Sequence, residues 1–413
     1  MASSSDTPNY LFLSFAVSEQ QLERITHEDS NPPIQTHLFT WNLIRSLIAS
    51  NQLDLTLVSA APTSAYPANH NRKIRGSLYS VPLLNRHLLV REISYDNRPG
   101  FRLVSRMVSA ILVGHAQYAK VTHKAGIIVY SNHIPFMIAG HVLAWVYQLP
   151  FIAIWTDPPA VPRAQSGSLH RALRSIEFRL ARILMKRSDS VIALTEALAK
   201  DFAPDSDSIV VEGIIDPSDY APLPEDTRHP VVEKPFRIAY TGAISSRYGV
   251  LAIIDGFCEA ALDHAELHFY GTGPSSDEIE RRCSLLSNVY WHGWTPRSEI
   301  LHVQSSADLL INARSPIEDF VKYSFPSKTL EYMMSGTTVA TTMLPGIPEE
   351  YRNFIIPIAD STSSQIGAAI QTAFDMGVEG RNALAREAYQ FASSKDYQNQ
   401  GRRIWQLLDR VKS

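Results

Sequence analysis

Short apolar segments alternate with longer amphipathic segments along most of the chain. Residues 10–16 are almost all apolar, as expected of a strand covered on both faces, and residues 33–50 carry apolar side chains at helical spacing. This alternation predicts strands at residues 10–16, 53–59, 88–93, 125–131, 151–156, 190–194, 236–240, 267–270, 289–292, 309–312 and 337–341. Strands that alternate with helices form parallel sheets with crossover helices, so we predict an α/β protein with doubly wound domains.

Helical patterns fill the intervals between the predicted strands, and one proline-rich stretch interrupts them. The predicted helices cover residues 33–50, 101–120, 134–147 and 169–186, begin near Tyr248, Asp277, Pro296 and Pro326, and end with a helix at about 383–411. Residues 216–230 contain four prolines and several acidic residues, which suits an extended linker. A chain of 413 residues is too long for one ordinary core. We therefore predict a first domain at 1–215, a linker at 216–235, a second domain at 236–380 and a terminal segment at 381–413.

Charge and composition indicate in which compartment the protein works and which partners it binds. The net charge is −3, but residues 70–187 contain 17 basic and 4 acidic residues, so positive charge is concentrated in the first half. Two cysteines do not form a disulfide framework, and neither a secretory signal nor an apolar run of about 18 residues is evident. We expect a cytoplasmic protein. A slightly acidic chain without a nucleic-acid fold signature argues against a nucleic-acid partner.

Residues 318–336 have the pattern of a loop followed by a helix that faces an anion. Pro326 suits the first helical position and Gly336 suits the end of the helix. The free N–H groups of a helix start carry partial positive charge, and Lys328 adds a full charge there. Glu331, one turn further along, could accept hydrogen bonds from a ribose diol. A solvent-exposed glutamate is the alternative interpretation of Glu331.

The segment Ser-Phe-Pro-Ser-Lys-Thr-Leu-Glu-Tyr-Met-Met-Ser-Gly at 324–336, with Leu-Pro-Gly-Ile-Pro-Glu-Glu-Tyr at 344–351, resembles the donor site of family 4 retaining glycosyltransferases, especially bacterial polysaccharide enzymes of group 1. The resemblance implies the GT-B fold, with two facing Rossmann-like domains, and a nucleotide diphosphate-sugar as donor. It implies no cofactor and no metal. In such enzymes the terminal helix commonly packs back on the first domain, but the sequence by itself favours an ordinary terminal helix.

The predicted donor residues follow strands of the second domain, because ligands of open α/β sheets bind at the carboxyl ends of strands. They are Gly242, Arg247, Gly271, Gly273, Arg314, Ser327, Lys328 and Glu331. Arg247 and Lys328 would stabilise the diphosphate, although Tyr248 replaces a lysine that the family often has. Arg314 could instead pair with Glu318 or Asp319. Tyr323 replaces a glutamate that the family often has at the donor sugar, and either Glu318 or Asp319 could substitute for it.

Two predicted residues of the first domain follow strands as well. The resemblance makes His133 a catalytic or acceptor-contacting residue, and a capping or core histidine is the alternative. Asp157 could hold an acceptor hydroxyl, or form a turn before proline. The acceptor itself is expected to be a glycan or a lipid-linked glycan.

Five basic residues are predicted to share one face of the helix at 101–120 and its flanks: Arg98, Arg102, Arg106, Lys120 and Lys124. An apolar face with Val104, Met107, Val108 and Ile111 opposes them. The basic face is either ordinary solvated surface or a peripheral contact with anionic headgroups on the inner face of the plasma membrane.

The sequence therefore predicts a retaining glycosyltransferase of polysaccharide or glycoconjugate synthesis. Two other functions remain open: a sugar-nucleotide epimerase of the same fold, and a non-catalytic partner protein with a degenerate donor site.

Overall fold

The protein is described from a computed structural model, which covers residues 7–29, 33, 37–159, 168–220, 222–223, 234–317 and 319–412. The chain divides into two compact units. Unit 1 comprises residues 1–214 and 397–413, and unit 2 comprises residues 215–396. Each unit contains one large sheet flanked by helices. The two doubly wound domains that the sequence predicts are thus confirmed.

Unit 1 is built on an eight-stranded sheet. The strands of the unit are β1 (Asn9–Ser14), β2 (Asp54–Ser59), β3 (Lys73–Ile74), β4 (Leu78–Leu83), β5 (Arg86–Glu92), β6 (Tyr95–Asp96), β7 (Lys124–Tyr130), β8 (Phe151–Trp155), β9 (Ser190–Ala193) and β10 (Asp207–Val210). The sheet order is β10-β9-β8-β7-β1-β2-β5-β4, and β3 pairs separately with β6. All pairs of the large sheet are parallel except the hairpin of β4 and β5.

Helices cover both faces of this sheet. They are α1 (Glu19–Glu28), α2 (His37–Ala49), α3 (Arg102–Tyr118), α4 (Ile134–Tyr147), α5 (Ser168–Lys186), α6 (Glu196–Phe202) and the C-terminal helix, which is α13 of the whole chain (Tyr397–Lys412). Helices α2 and α13 pack together on the face that carries Tyr10 and Phe12. Helices α3 and α4 pack on the other face, where Gly114 and Gly140 allow close contact with Leu143 and Val129.

Unit 2 contains a six-stranded parallel sheet. Its strands are β11 (Phe236–Thr241), β12 (Ala265–Tyr270), β13 (Val289–Trp291), β14 (Leu309–Asn312), β15 (Val339–Thr342) and β16 (Ile356–Ile358), in the order β13-β12-β11-β14-β15-β16. Its helices are α7 (Val250–Ala260), α8 (Ser276–Cys283), α9 (Arg297–Ser306), α10 (Ser327–Met334), α11 (Ser363–Asp375) and α12 (Gly377–Ser393). The central strands β11 and β14 bring the loops after them to one edge.

Several elements differ from the sequence prediction. Residues 19–28, predicted as loop, form α1, whose first turn is capped by the Ser18 hydroxyl. The predicted single helix at 383–411 is two helices, because residues 394–396 interrupt it. Residues 381–396 lie in unit 2 while residues 397–413 lie in unit 1, so the predicted terminal segment is divided between the units. Most of the predicted linker lies outside the described residues.

Candidate active site

The loops after β11, β12 and β13 interlock at the carboxyl edge of the unit 2 sheet. Gly242 N–H donates to the Tyr270 carbonyl at 2.8 Å, and Gly271 N–H donates to the Gly293 carbonyl at 2.6 Å. A Cβ on Gly271 would lie 2.0 Å from the Gly242 carbonyl oxygen, and a Cβ on Gly273 would lie 2.3 Å from that of Ile244. Glycine is therefore required at both positions for the loops to approach each other.

Helix α10 begins directly beside the Gly242 loop. Pro326 is the N-cap residue with extended backbone, so the helix starts at Ser327 rather than at Pro326 as predicted. The Lys328 side chain lies against Gly242, where a Cβ would be 2.2 Å from Lys328 Cε and 2.7 Å from Nζ. Burial lowers the pKa of Lys328, while Glu331 opposes that shift. The structure thus joins Gly242, Ser327 and Lys328, three of the predicted donor residues, at one helix start.

Glu331 is held by two side chains of α9. Gln304 Nε2 donates to Glu331 Oε1 at 2.6 Å, and Arg297 Nη1 lies 3.7 Å from Glu331 Oε2. Gln304 is fully buried, and its Nε2 also donates to Thr241 Oγ1 at 2.9 Å. Burial, and to a lesser extent the charge of Glu331, raises the pKa of Tyr220, near the start of unit 2, to about 12. The carboxylate is therefore oriented rather than free in solvent.

The sequence missed Gln304 and Arg297 as members of this site. Both lie on α9, which comes before β14 in the chain, and neither belongs to a motif of glycines or to a strand end. Gln304 is one of several polar residues in α9. The contact of α9 with β11 and Glu331 is tertiary, so no local pattern distinguishes it.

Two predicted arginines lie on loops at the same edge. Arg247 lies in the short 3₁₀ helix Ser246–Tyr248, which ends at Gly249 with a φ of 73°. The Arg314 guanidinium lies over the Tyr248 ring at 5.7 Å, and its Nη1 donates to Ser324 Oγ at 3.2 Å. Glu318 lies outside the described residues, so its predicted role at the donor sugar remains a prediction.

His133, in unit 1, follows β7 and precedes α4. Its ring packs edge-on against Phe15 and Phe136 at 5.0 Å each. Its buried Nδ1 contacts no hydrogen-bond partner among the described residues. Burial, together with the charges of Arg106 and Arg102, holds the pKa of His133 well below its ordinary value. The imidazole is therefore neutral near pH 7.

Asp157 follows β8, next to the His133 loop. Asn132 Nδ2 donates to the Asp157 carbonyl at 3.0 Å, and Thr156 Oγ1 donates to Asp157 Oδ2 at 2.9 Å. The Asp157 side chain is exposed. The two predicted acceptor residues thus occupy adjacent strand ends of unit 1, and their roles remain predictions.

The prediction that Arg106 belongs to an exposed basic face of α3 is wrong, because Arg106 is only 3% exposed. Arg106 Nη2 donates to Tyr95 Oη at 2.6 Å and to the Ala61 carbonyl, and the guanidinium lies 4.2 Å from the Tyr95 ring centre. Arg102 also turns inward and donates to the Thr63 carbonyl. Burial, and to a lesser extent Arg106, lowers the pKa of Arg102 to about 10. Carbonyls at the carboxyl end of β2 therefore attract these arginines into the unit.

The other three residues of that face have separate environments. Exposed Arg98 makes a bidentate pair with half-buried Asp96, and the closest contact is 2.6 Å. Lys120 is exposed, whereas Lys124 is half-buried and donates to the Val121 carbonyl. These five residues do not form one continuous surface.

Comparison with solved structures identifies the fold class. The chain is similar to sucrose-phosphate synthase from Thermosynechococcus elongatus, with a TM-score of 0.65, 12% identity, and coverage of 98% of this chain and 99% of that chain. Anabaena HepE in complex with UDP matches with a TM-score of 0.63 and 15% identity, covering 97% of this chain and 99% of that chain. HepE has also been solved with UDP-glucose. These similarities show the GT-B fold.

A family model matches the sequence of unit 2. Residues 235–375, about a third of the chain, match the model of the family described as glycosyl transferases group 1. The matched segment contains every predicted donor residue, from Gly242 to Glu331. No curated protein matches the chain. The resemblance found in the sequence is confirmed at this level, and the chain is a glycosyltransferase.

Proposed function

We propose that the protein is a family 4 retaining glycosyltransferase that moves a hexose from a nucleotide diphosphate-sugar to a glycan or lipid-linked glycan in cell-surface polysaccharide or glycoconjugate synthesis. The proposal places it in the cytoplasm, at the inner face of the plasma membrane. No cofactor and no metal take part in the proposed reaction. UDP is the first nucleotide to test, because HepE, which has the same fold, binds UDP and UDP-glucose.

The observation that carries the proposal is the arrangement around Gly242. The start of α10 presents free N–H groups and Lys328 beside a loop that only a glycine permits, which suits a diphosphate. Glu331 lies three residues further along α10 and is oriented by Gln304 and Arg297. A ribose diol bound to Glu331 would place its diphosphate toward the helix start.

The proposed chemistry is electrostatic. As the bond between the sugar and the diphosphate breaks, negative charge accumulates on the leaving oxygen. Lys328, Arg247 and the N-terminus of α10 would stabilise that charge more strongly in the transition state than in the ground state, which is what accelerates a reaction. Fixed cations fulfil here the role that a divalent ion plays in other nucleotide-sugar enzymes.

The test is thermal unfolding with UDP, GDP, ADP and CMP, followed by assays with their sugar derivatives. One diphosphate nucleotide at 100 times its dissociation constant should add about 2.7 kcal/mol to the stability of the wild type. Glu331→Gln should lose most of that increment, since an amide does not replace a carboxylate that accepts two ribose hydroxyls. Lys328→Met should lose it as well.

Glu299→Gln is the matched control, because Glu299 is an exposed glutamate of α9. It should keep the full nucleotide increment. No stabilisation of the wild type by any of the four nucleotides would refute the donor site and favour a non-catalytic protein. If a nucleotide-sugar is converted without transfer to an added glycan, the protein is an epimerase instead.

A further inference from the structure

The outer surface of α3, α4 and α5 is apolar. Ten of the 21 exposed large hydrophobic side chains of the described residues lie on these helices or at the N-cap of α3. On α3 they follow helical spacing, with Val104 at 57% and Leu112 at 64% exposure, and on α4 Trp145 is 80% exposed. On α5 the exposed large hydrophobic side chains of the described residues are Ile176, Leu180 and Ile183, again on one helix face.

The three helices form one layer, and we call their exposed apolar side chains, with Phe101 at the N-cap of α3, the apolar layer. Helix α3 packs against α4, and α4 packs against α5. Tyr147 Oη lies 3.0 Å from His115 Nδ1, which joins the C-terminal ends of α3 and α4. His141 Nε2 lies 3.0 Å from the Leu184 carbonyl, which joins α4 to α5. Contiguous exposed apolar surface of this kind marks an interaction site.

The charges around the apolar layer identify the partner. Residues 97–187 contain 12 basic and 2 acidic residues. Among those described, Lys120, Arg179, Arg182, Lys186 and Arg187 are exposed on α5 or near the ends of these helices. Apolar side chains combined with exposed cations and a surface tryptophan match the boundary between the headgroups and acyl chains of an anionic bilayer. In the part of the chain that the structure describes, no helix is long and apolar enough to span a membrane.

We infer that unit 1 docks on an anionic lipid bilayer through the apolar layer, which inserts Trp145, Leu112 and their neighbours while the exposed cations contact headgroups. This contact differs from the electrostatic surface that the sequence predicts, because two of the three arginines expected to reach the lipid, Arg102 and Arg106, are turned into the protein and hydrophobic side chains are exposed instead. It rests on the proposed location at the inner face of the plasma membrane and assigns the surface that makes the contact, but it does not depend on the donor site.

Co-sedimentation of the full chain with vesicles tests the inference. Wild type should bind vesicles of phosphatidylglycerol and phosphatidylcholine more tightly than phosphatidylcholine alone. Binding should weaken but persist at 0.5 M salt, since salt screens charges and not apolar contacts. The double variant Leu112→Gln with Trp145→Gln should bind at least about tenfold more weakly, because two large apolar side chains are lost from the contact.

The matched control is Leu78→Gln with Leu89→Gln, which changes two similarly exposed leucines of the β4–β5 hairpin in the same unit. It should bind vesicles as the wild type does. Equal binding by both double variants, or wild-type binding abolished completely by salt, would overturn the inference. A wild-type dimer that the Leu112 and Trp145 changes dissociate would also overturn it and make the layer an interface between copies. Nucleotide stabilisation of the same variants reports separately on the donor site.

Discussion

Gln304→Leu tests whether Glu331 is oriented by the residue behind it. The change keeps most of the buried volume but removes both hydrogen bonds of Gln304 Nε2, to Glu331 Oε1 and to Thr241 Oγ1. A hydrogen bond to a charged group contributes about 1.5–3 kcal/mol and one to a neutral group about 0.5–1.5 kcal/mol. Gln304 Oε1 has no partner among the described residues, so its removal offsets part of the loss.

The expected net loss is about 2 kcal/mol, because the Glu331 side chain retains 23% exposure and water can replace one bond. Unit 2 spans residues 215–396, and for a domain of that size such a loss lowers Tm by about 4–8 °C. Differential scanning calorimetry measures this shift. Gln371→Leu is the control, since half-buried Gln371 donates a solvent-exposed hydrogen bond to Asp375 on the same helix, and it should change Tm by about 2 °C or less.

Nucleotide binding distinguishes an orienting effect of Gln304 on the Glu331 carboxylate from a general loss of stability in the Gln304→Leu variant. If Gln304 acts by holding the Glu331 carboxylate, Gln304→Leu weakens UDP-induced stabilisation, and adding it to Glu331→Gln weakens that stabilisation no further. Fully additive effects of the two changes on UDP binding would refute the orienting role. An unchanged Tm for Gln304→Leu would refute the hydrogen-bond argument itself.

Three more predictions concern the loops and one histidine. Gly271→Ala should destabilise unit 2 by more than about 2 kcal/mol, because its Cβ would meet the Gly242 carbonyl. Gly293 has a φ of 71° and open space around it, so Gly293→Ala should destabilise the unit by only about 1 kcal/mol. Urea denaturation of the two variants measures the difference. Gly242→Ala should displace Lys328 and abolish UDP stabilisation in a thermal-shift assay. The folded state keeps His133 neutral, while the unfolded chain takes up a proton at this residue near pH 6.5. The free energy of unfolding should therefore fall as the pH drops below that value. His133→Phe should reduce the slope of the unfolding free energy against pH by up to about 1.4 kcal/mol per pH unit.

The fold and part of the candidate donor site follow from local patterns. Apolar strands such as residues 236–240 are recognisable because a strand covered on both faces tolerates few polar side chains. Loops after those strands contain Gly242 and Gly271, whose positions in the chain place them at the carboxyl edge. Lys328 and Glu331 follow a proline that marks a helix start. Each of these signals is contained within a few residues, so one sequence is sufficient to read them.

The remaining members of the site come from distant elements. Gln304 reaches Glu331 across 27 residues, and its role depends on α9 packing beside α10 rather than on its neighbours in the chain. Tyr220 comes from the start of unit 2, within the predicted linker, yet it is close enough to Glu331 for that charge to affect its pKa. Contacts of this kind are decided by tertiary packing, which the spacing of residue types does not encode.

Helix α3 shows why periodicity alone misassigns a surface. Its sequence has an arginine face and an apolar face, and the general preference for buried hydrophobic residues directs the apolar face inward. In the structure Arg106 is buried while Val104 and Leu112 are exposed. Carbonyls of Ala61 and Thr63, left after β2 ends, accept hydrogen bonds from the guanidinium groups, and the Tyr95 ring covers Arg106. Helical spacing identifies two faces, but the free energy of burying either face depends on the hydrogen-bond acceptors and ring contacts that neighbouring elements provide. An apolar face left outward then needs a partner outside the chain, and the charge of its surroundings determines which partner it attracts.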